Sequence, residues 1–138
     1  MKLGFLTACL PKRPLADIAA WAAGHGYEAL EVAAWPALGD RPFTATHLDA
    51  ESYDRDMVLG LFTDHGLTLS SLAYYDNNLH PDPAERAAIN AHVLRCIDAA
   101  ADLGCPTVGT FVGRHPGRSV RDNLADAEGV FAPLVDRA

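Results

Sequence analysis

The chain has 138 residues and a mass of 14.8 kDa, and 49% of its residues are hydrophobic and 21% charged. This length suits a single domain over residues 1–138, and the apolar content favours a folded protein over a disordered one. The net charge of −7 argues against the basic surface of a nucleic-acid-binding domain, and without a run of about 18 apolar residues we predict no membrane-spanning helix.

A unit of helix, glycine turn and strand repeats along the chain. Three Ala- or Leu-rich stretches end at Gly26, Gly66 and Gly104, which are separated by 40 and 38 residues, and an apolar run follows each glycine. Glycine just after a helix adopts the left-handed conformation of a C-terminal cap without a Cβ clash. With the opening residues included, the pattern predicts strands near residues 2–8, 28–34, 67–74 and 106–112.

Four helices are predicted, over residues 15–25, 52–65 and 83–103 and from Ser119 to the end of the chain. Ser52 and Ser119 are the candidate N-caps of the second and fourth helices. The third helix has the clearest apolar stripe, with Ile89, Val93 and Ile97 at helical spacing. Strands that alternate with helices in this way predict an α/β fold with a parallel sheet.

Two architectures accommodate four βα units. One is half of a TIM (β/α)8 barrel, with strand order 1-2-3-4 and all helices on one face, because a whole barrel needs about 250 residues. The other is a complete small doubly wound binding or regulatory module, with strand order 2-1-3-4 and helices on both faces. The repeat predicts a further glycine and strand beyond Ala138, so we expect the first half of a barrel, present as a truncated chain or a fragment.

The second predicted strand carries a carboxylate on a face of small residues. By alternation, Glu31 shares a face with Ala29 and Ala33, which suits the interior of a barrel. An acidic residue there either has a function or forms an ion pair with a neighbouring strand. Trp35 follows this strand. It either forms an apolar surface beside a sugar ring or packs in the core. No glycine-rich phosphate-binding motif occurs, which disfavours a nucleotide site.

Polar residues also follow the third and fourth strands, where parallel α/β proteins place their chemistry. Asn77, Asn78 and His80 can hydrogen-bond a polyol, or they form an Asx-rich turn into the third helix. Arg114 stands between two glycines and either pairs with a phosphate or carboxylate or is an ordinary surface residue.

The three cysteines are an odd and widely spaced set: Cys9, Cys96 and Cys105. They form neither a disulfide framework nor a CxxC zinc pattern, and residues 1–7 lack the long apolar region that a secretory signal requires, so we expect none. This composition is typical of the reducing cytoplasm, and we interpret Cys9 as a buried or half-buried residue without a catalytic role. His25 and His65 precede the repeat glycines, and we interpret them as structural residues at helix C-termini.

Several segments occur in an order that resembles a known group. They are residues 2–7, 26–32, 66–72, 99–104 and 108–113. Together they resemble the sugar phosphate isomerase/epimerase group of xylose-isomerase-like barrels, over essentially the whole chain. The resemblance implies a divalent metal (Mn²⁺, Mg²⁺, Co²⁺ or Zn²⁺) that polarises sugar oxygens, and two glutamates that move protons through a 1,2-enediolate.

In that group the metal ligands come from strands five to eight, so we assign none in this chain. The resemblance gives this half the residues that shape the sugar pocket: Glu31, Trp35, Asn77, His80 and Arg114. His80 and His115 match only loosely the early-strand histidines that bind metal in some relatives. We expect a sugar or polyol as the ligand and no activity from this chain alone. Because a half barrel has open sheet edges, we also expect a homo-oligomer or pairing with a C-terminal half.

Overall fold

Four parallel strands and four helices alternate in the computed structural model, which describes residues 1–37 and 45–138. The strands are β1 (Gly4–Leu6), β2 (Ala29–Ala33), β3 (Thr68–Asn77) and β4 (Val108–Phe111), and a short 3-10 helix (Thr7–Cys9) follows β1. The helices are α1 (Leu15–Gly24), α2 (Arg55–Asp64), α3 (Pro83–Asp102) and α4 (Val120–Arg137). The strand order is β1-β2-β3-β4, which confirms the half-barrel prediction and contradicts the doubly wound alternative.

The first three helices each end at a glycine in the left-handed region. The φ angles of Gly26, Gly66 and Gly104 are 79°, 63° and 65°. His25 and His65 occupy the C-cap positions of α1 and α2 directly before two of these glycines. The predicted repeat of helix, glycine turn and strand is therefore confirmed.

One hydrophobic core lies between the sheet and the helices. The strands contribute Leu30, Val32, Leu72 and Tyr74, and the helices contribute residues such as Ile18, Phe62, Val93 and Leu134. Because α1, α2, α3 and α4 all supply residues to this core, they lie on the same face of the sheet. We call the opposite face, which carries Glu31, Tyr75 and Gly109, the concave face.

Three details differ from the sequence predictions. The N-cap of α2 is Asp54, whose Oδ1 accepts the Met57 N–H at 3.0 Å, whereas Ser52 lies in a turn and donates its N–H to Asp49 O. Strand β3 continues to Asn77, three residues beyond the predicted end. Cys9 is exposed because it ends the 3-10 turn that leaves the sheet.

The predicted N-cap of α4 is confirmed. Ser119 Oγ accepts the Asp122 N–H at 3.2 Å. Within residues 1–37 and 45–138, none of the helices combines the length and the apolarity that a bilayer span requires.

Candidate functional site

A tyrosine and a glutamate from neighbouring strands meet on the concave face. Tyr75 Oη on β3 donates a hydrogen bond to Glu31 Oε1 on β2, and the two oxygens are 2.5 Å apart. This hydrogen bond is the largest cause that raises the pKa of Tyr75 to about 12, followed by burial and by the charge of the carboxylate. At neutral pH Tyr75 is therefore a protonated donor.

Strand β4 leaves space for this pair because the β4 residue beside it is a glycine, Gly109. A Cβ on Gly109 would lie 2.5 Å from Tyr75 Oη and 3.1 Å from Glu31 Oε1. Glycine within a strand commonly marks such a close approach. The pair therefore depends on three strands, although only two of them supply its hydrogen-bonding groups.

Aromatic rings flank the pair on two sides. The ring of Trp35, just after β2, lies 6.1 Å from the ring of Tyr75. On the other side Phe111, which is 56% exposed, lies 4.8 Å from Tyr75 at an interplanar angle of 34°. Apolar walls around a few directed polar groups are typical of small-molecule sites.

A buried histidine of α3 holds the segment that carries Trp35. His92 is 3% exposed, and its Nε2 donates to the carbonyl oxygen of Ala34 at 2.7 Å. The His92 ring also meets Tyr74 edge-on at 4.6 Å, and Tyr74 contacts Trp35 in the same manner at 6.0 Å. The position of Trp35 is thus set from the helix side of the sheet.

Asn77, at the end of β3, ties this strand to the loop after β4. Its Oδ1 accepts the N–H groups of Arg114 at 2.8 Å and Leu79 at 3.1 Å, and its Nδ2 donates to Arg114 O at 2.9 Å. Gly113 has a φ of 74°, and a Cβ there would overlap the Asn77 amide. The structure therefore brings Asn77 and the Arg114 backbone together, and these hydrogen bonds fix the loop after β4 against the end of β3.

The neighbouring polar residues are also engaged with the backbone. Asn78 is fully buried, and its Nδ2 donates to Thr110 Oγ1 at 2.9 Å and to Phe111 O at 2.5 Å. His80 Nδ1 accepts the Asp82 N–H at 3.2 Å in the turn that leads into α3. Of the five candidate residues, Glu31 and Trp35 therefore adjoin Tyr75, whereas His80 serves the entry to α3.

Hydrogen bonds of Thr7 hold the loop after β1 against the end of β2, and the sequence analysis did not predict these contacts. The buried Thr7 Oγ1 accepts the Ala33 N–H at 2.9 Å and forms a second hydrogen bond with His47 Nδ1 at 2.8 Å. Burial lowers the pKa of His47, against the raising effect of the Leu10 and Arg13 carbonyl groups. No local signal links Thr7 to His47, because 40 residues separate them.

The sequence contains signals for Tyr75 and Gly109 as well. Alternation places Tyr75 on the face of Ala73 once β3 is extended beyond residue 74. Gly109 lies between Val108 and Thr110 inside a strand, where a missing side chain indicates that another group comes close.

The described residues do not form a metal centre. Among residues 1–37 and 45–138, no three His, Cys, Asp or Glu side chains are grouped so that they could hold a metal ion. The Nδ1 atoms of His80 and His115 each accept a backbone N–H, from Asp82 and from Gly117.

The chain matches one protein family and a set of solved structures of the same fold. A family model described as xylose isomerase-like TIM barrel matches residues 19–138. The probable 3-DHS dehydratase AsbF from Bacillus anthracis has 15% identity and a TM-score of 0.67, over 99% of this chain and 49% of its own. The D-allulose 3-epimerase from Methylomonas sp. in complex with D-allulose has 21% identity and a TM-score of 0.64, over 99% and 47%.

A third structure, the IolI protein with a bound zinc atom, has 18% identity and a TM-score of 0.63, over 96% of this chain and 48% of its own. The chain thus spans about half the length of these structures, with its four strands and four helices in a half-barrel arrangement. At these identities the likeness concerns the fold. No protein in the curated collection matches the sequence.

Proposed function

This chain belongs to the xylose isomerase-like TIM barrel family, and we propose that its concave face binds a sugar or cyclitol as half of a sugar isomerase or epimerase. The observation that carries the proposal is the hydrogen bond of 2.5 Å between Tyr75 and Glu31, set between the rings of Trp35 and Phe111. Tyr75 lies near the carboxyl end of β3, the end of the strands at which barrel enzymes place their active sites, and Glu31 lies at the middle of β2.

The chemistry of these side chains suits a polyol. The Glu31 carboxylate accepts hydrogen bonds from vicinal hydroxyl groups, and such charge-assisted bonds are stronger than neutral ones. The Tyr75 hydroxyl donates to a sugar oxygen or retains its bond to Glu31, which it orients. Trp35 and Phe111 offer apolar surface to the C–H groups of the ring and exclude water from the polar pair.

The proposed reaction is proton transfer at the carbon next to the sugar carbonyl, assisted by a divalent metal in the complete barrel. The described residues of this chain contain no group of side chains that could hold that metal. The role proposed for Glu31, Tyr75 and Trp35 is to bind and orient the sugar. Asn77 and Arg114 shape the loop beside it, and His80 fixes the start of α3.

Fluorescence of Trp35 tests the binding proposal directly. The chain has two tryptophans, so Trp21→Phe leaves Trp35 as the only indole reporter. We expect D-allulose, D-fructose or inositol to produce a saturable change in its emission. Glu31→Gln in this background should weaken binding by about ten- to 150-fold, since a hydrogen bond to a charged group contributes about 1.5–3 kcal/mol.

Glu28→Gln is the matched control, because Glu28 directly precedes β2 and its Oε2 accepts the Leu3 N–H at the start of the sheet. Its affinity for the probes should equal that of the parent. The proposal is wrong if none of the probes changes the emission, or if both glutamine variants weaken binding equally. Turnover of D-allulose by the 138-residue chain alone would contradict the assignment of the metal ligands to other residues.

A further inference from the structure

Strand β3 has one residue more than β2 in the stretch where the two strands pair. Leu30 is in register with Leu69, whereas the next residue, Glu31, is in register with Ser71. Ser70 is therefore an extra residue without a partner position in β2. Such a residue forms a β-bulge, and bulges occur often beside active sites because they change the direction of the side chains that follow.

The core residues of β3 change their alternation at this bulge. Before it, Leu67 belongs to the core and Leu69 packs against it, whereas beyond it Leu72 and Tyr74 belong to the core. Alternate residues of a regular strand share one face, so an uninterrupted β3 would direct the odd-numbered residues to the core along its whole length. The pattern is instead reversed between residues 69 and 72.

The backbone hydrogen bonds show the same reversal. The Thr68 N–H donates to Glu28 O on the β2 side of the strand, whereas the Leu72 N–H donates to Thr107 O, just before β4. In a regular parallel strand, residues 68 and 72 would both donate toward the same neighbouring strand, because successive residues direct their N–H groups to opposite sides. The side chains and the backbone thus agree that the reversal lies at the bulge.

This reversal determines which of two adjacent tyrosines meets the carboxylate. Tyr74 is 3% exposed and contacts His92 in the core, whereas Tyr75 donates to Glu31 on the concave face. Without the extra residue, Tyr75 would share the face of Leu69 and point toward the helices. Tyr74 would then lie on the face that carries Glu31.

The side chain of the extra residue bonds to the neighbouring strand. Ser70 Oγ donates to the carbonyl oxygen of Leu30 at 3.0 Å. Leu30 is fully buried and is the last residue of β2 before the register shifts. A bulge disrupts the hydrogen bonds between strands locally, and a hydroxyl group on the extra residue supplies a donor at that point.

We propose that Ser70 is a positioning residue of the candidate site. Its hydrogen bond to Leu30 keeps the extra residue of β3 in place, and the bulge directs Tyr75 rather than Tyr74 toward Glu31. The orientation of Tyr75 follows from the geometry of the two strands, whereas its consequence for sugar binding rests on the function proposed above.

NMR titration of labelled tyrosine tests the orientation of Tyr75 without any sugar, and Tyr75→Phe identifies its signal among the four tyrosines. Ser70→Ala should lower the pKa of Tyr75 from about 12 toward 10, because the hydrogen bond to Glu31 is the largest cause of the raised value. Ser70→Thr keeps the hydroxyl group and should retain a pKa of about 12.

Ser70→Val is a second test, because valine and threonine have the same shape and differ in the hydroxyl group. Both are favourable in strands, so Ser70→Val should lower the pKa of Tyr75 relative to Ser70→Thr even if the alanine variant is poorly folded. Ser71→Ala is the matched control, since it removes the same atom from the next residue, which has a partner position in β2. Circular dichroism verifies that each variant is folded.

Binding of D-allulose, followed by Trp35 fluorescence in the Trp21→Phe background, gives a separate readout. Ser70→Ala should weaken this binding by about two- to tenfold, the range for one hydrogen bond between neutral groups. Ser70→Thr and Ser71→Ala should retain the parent affinity.

Two outcomes would overturn the positioning role. One is a pKa of Tyr75 that stays at about 12 in both Ser70→Ala and Ser70→Val. The other is an equal decrease in Ser71→Ala, which would indicate a general loosening of β3. If the pKa falls as expected but the parent chain binds no sugar, the positioning role of Ser70 is supported and the function proposed for the concave face is wrong.

Discussion

Gly109 determines whether Tyr75 can reach Glu31. A Cβ at this position would lie 2.5 Å from Tyr75 Oη, which is too close for two non-bonded heavy atoms, so Gly109→Ala must displace the phenol. Because the hydrogen bond to Glu31 is the main cause of the high pKa, we expect the pKa of Tyr75 to fall from about 12 toward 10. NMR titration of labelled tyrosine measures this shift, and the affinity for D-allulose should fall with it.

Gly129→Ala is the control for that substitution, since a Cβ on Gly129 would meet no atom within 4 Å. In the interior of α4 the alanine should stabilise the helix by about 0.5–1 kcal/mol without changing the titration of Tyr75. An unchanged Tyr75 pKa in Gly109→Ala would contradict the prediction, because it would show that the ring keeps its hydrogen bond to Glu31 after it moves.

At the residue scale the sequence was sufficient for Glu31 but not for its partner. Alternation along β2 places Glu31 on the face of Ala29 and Ala33, and this holds because β2 itself contains no extra residue that would interrupt the alternation. The partner strand has a register shift opposite Leu30 and Glu31, and a second shift occurs between Ala73 and Asn77. Neighbouring strands determine both shifts, so the pairing of Tyr75 with Glu31 could not be obtained from local pattern alone.

The start of α2 gives a prediction at the element scale. Asp54 Oδ1 accepts the Met57 N–H, which would otherwise lack a partner in the first turn of the helix. Asp54→Ala should therefore lower the free energy of unfolding by about 1 kcal/mol, the usual loss for an N-cap. Ser52→Ala removes the N-cap that the sequence predicts, and it should change the free energy of unfolding by less than about 0.5 kcal/mol. Urea denaturation distinguishes the two, and equal losses would contradict the assignment of the cap.

A second element-scale prediction concerns alkaline pH. Tyr53 Oη donates to Asp102 Oδ2 at 2.8 Å and so joins the segment before α2 to the end of α3. Burial first, and then the hydrogen bond and charge of Asp102, raise the pKa of Tyr53 from 10 to about 12. A pKa raised by folding means that the tyrosine contributes its full stabilisation below pH 10 and loses it as the pH rises through about 12.

The free energy of unfolding should therefore decline between these pH values, and Tyr53→Phe should make the decline shallower. Denaturation by urea at several pH values measures the slope. Tyr75→Phe should reduce the remaining slope, since the pKa of Tyr75 is raised to about the same value. A slope that neither substitution changes would contradict the assignment of the two hydrogen bonds.

The order of elements was predictable because each signal for it is local. Gly26, Gly66 and Gly104 stand where a helix must turn into a strand, and this requirement for a positive φ is visible in a single chain. The end of β3 was not predictable, because residues 75–77 are polar and aromatic and their composition is typical of a loop. They remain in the strand since Asn77 and Asn78 bond to the backbone around β4, which is more than 30 residues away.

At the scale of the whole molecule, the sequence indicates the sequential order of the sheet but not which apolar side chains of the last helix stay exposed. Helix α4 has apolar residues along its length, and a pattern of this kind predicts only that a helix has an apolar side. The structure buries Leu134 against the core and leaves Leu124 and Val135 exposed. Which apolar residues stay outside depends on how much of α4 the sheet can cover, and this is a property of the assembled fold.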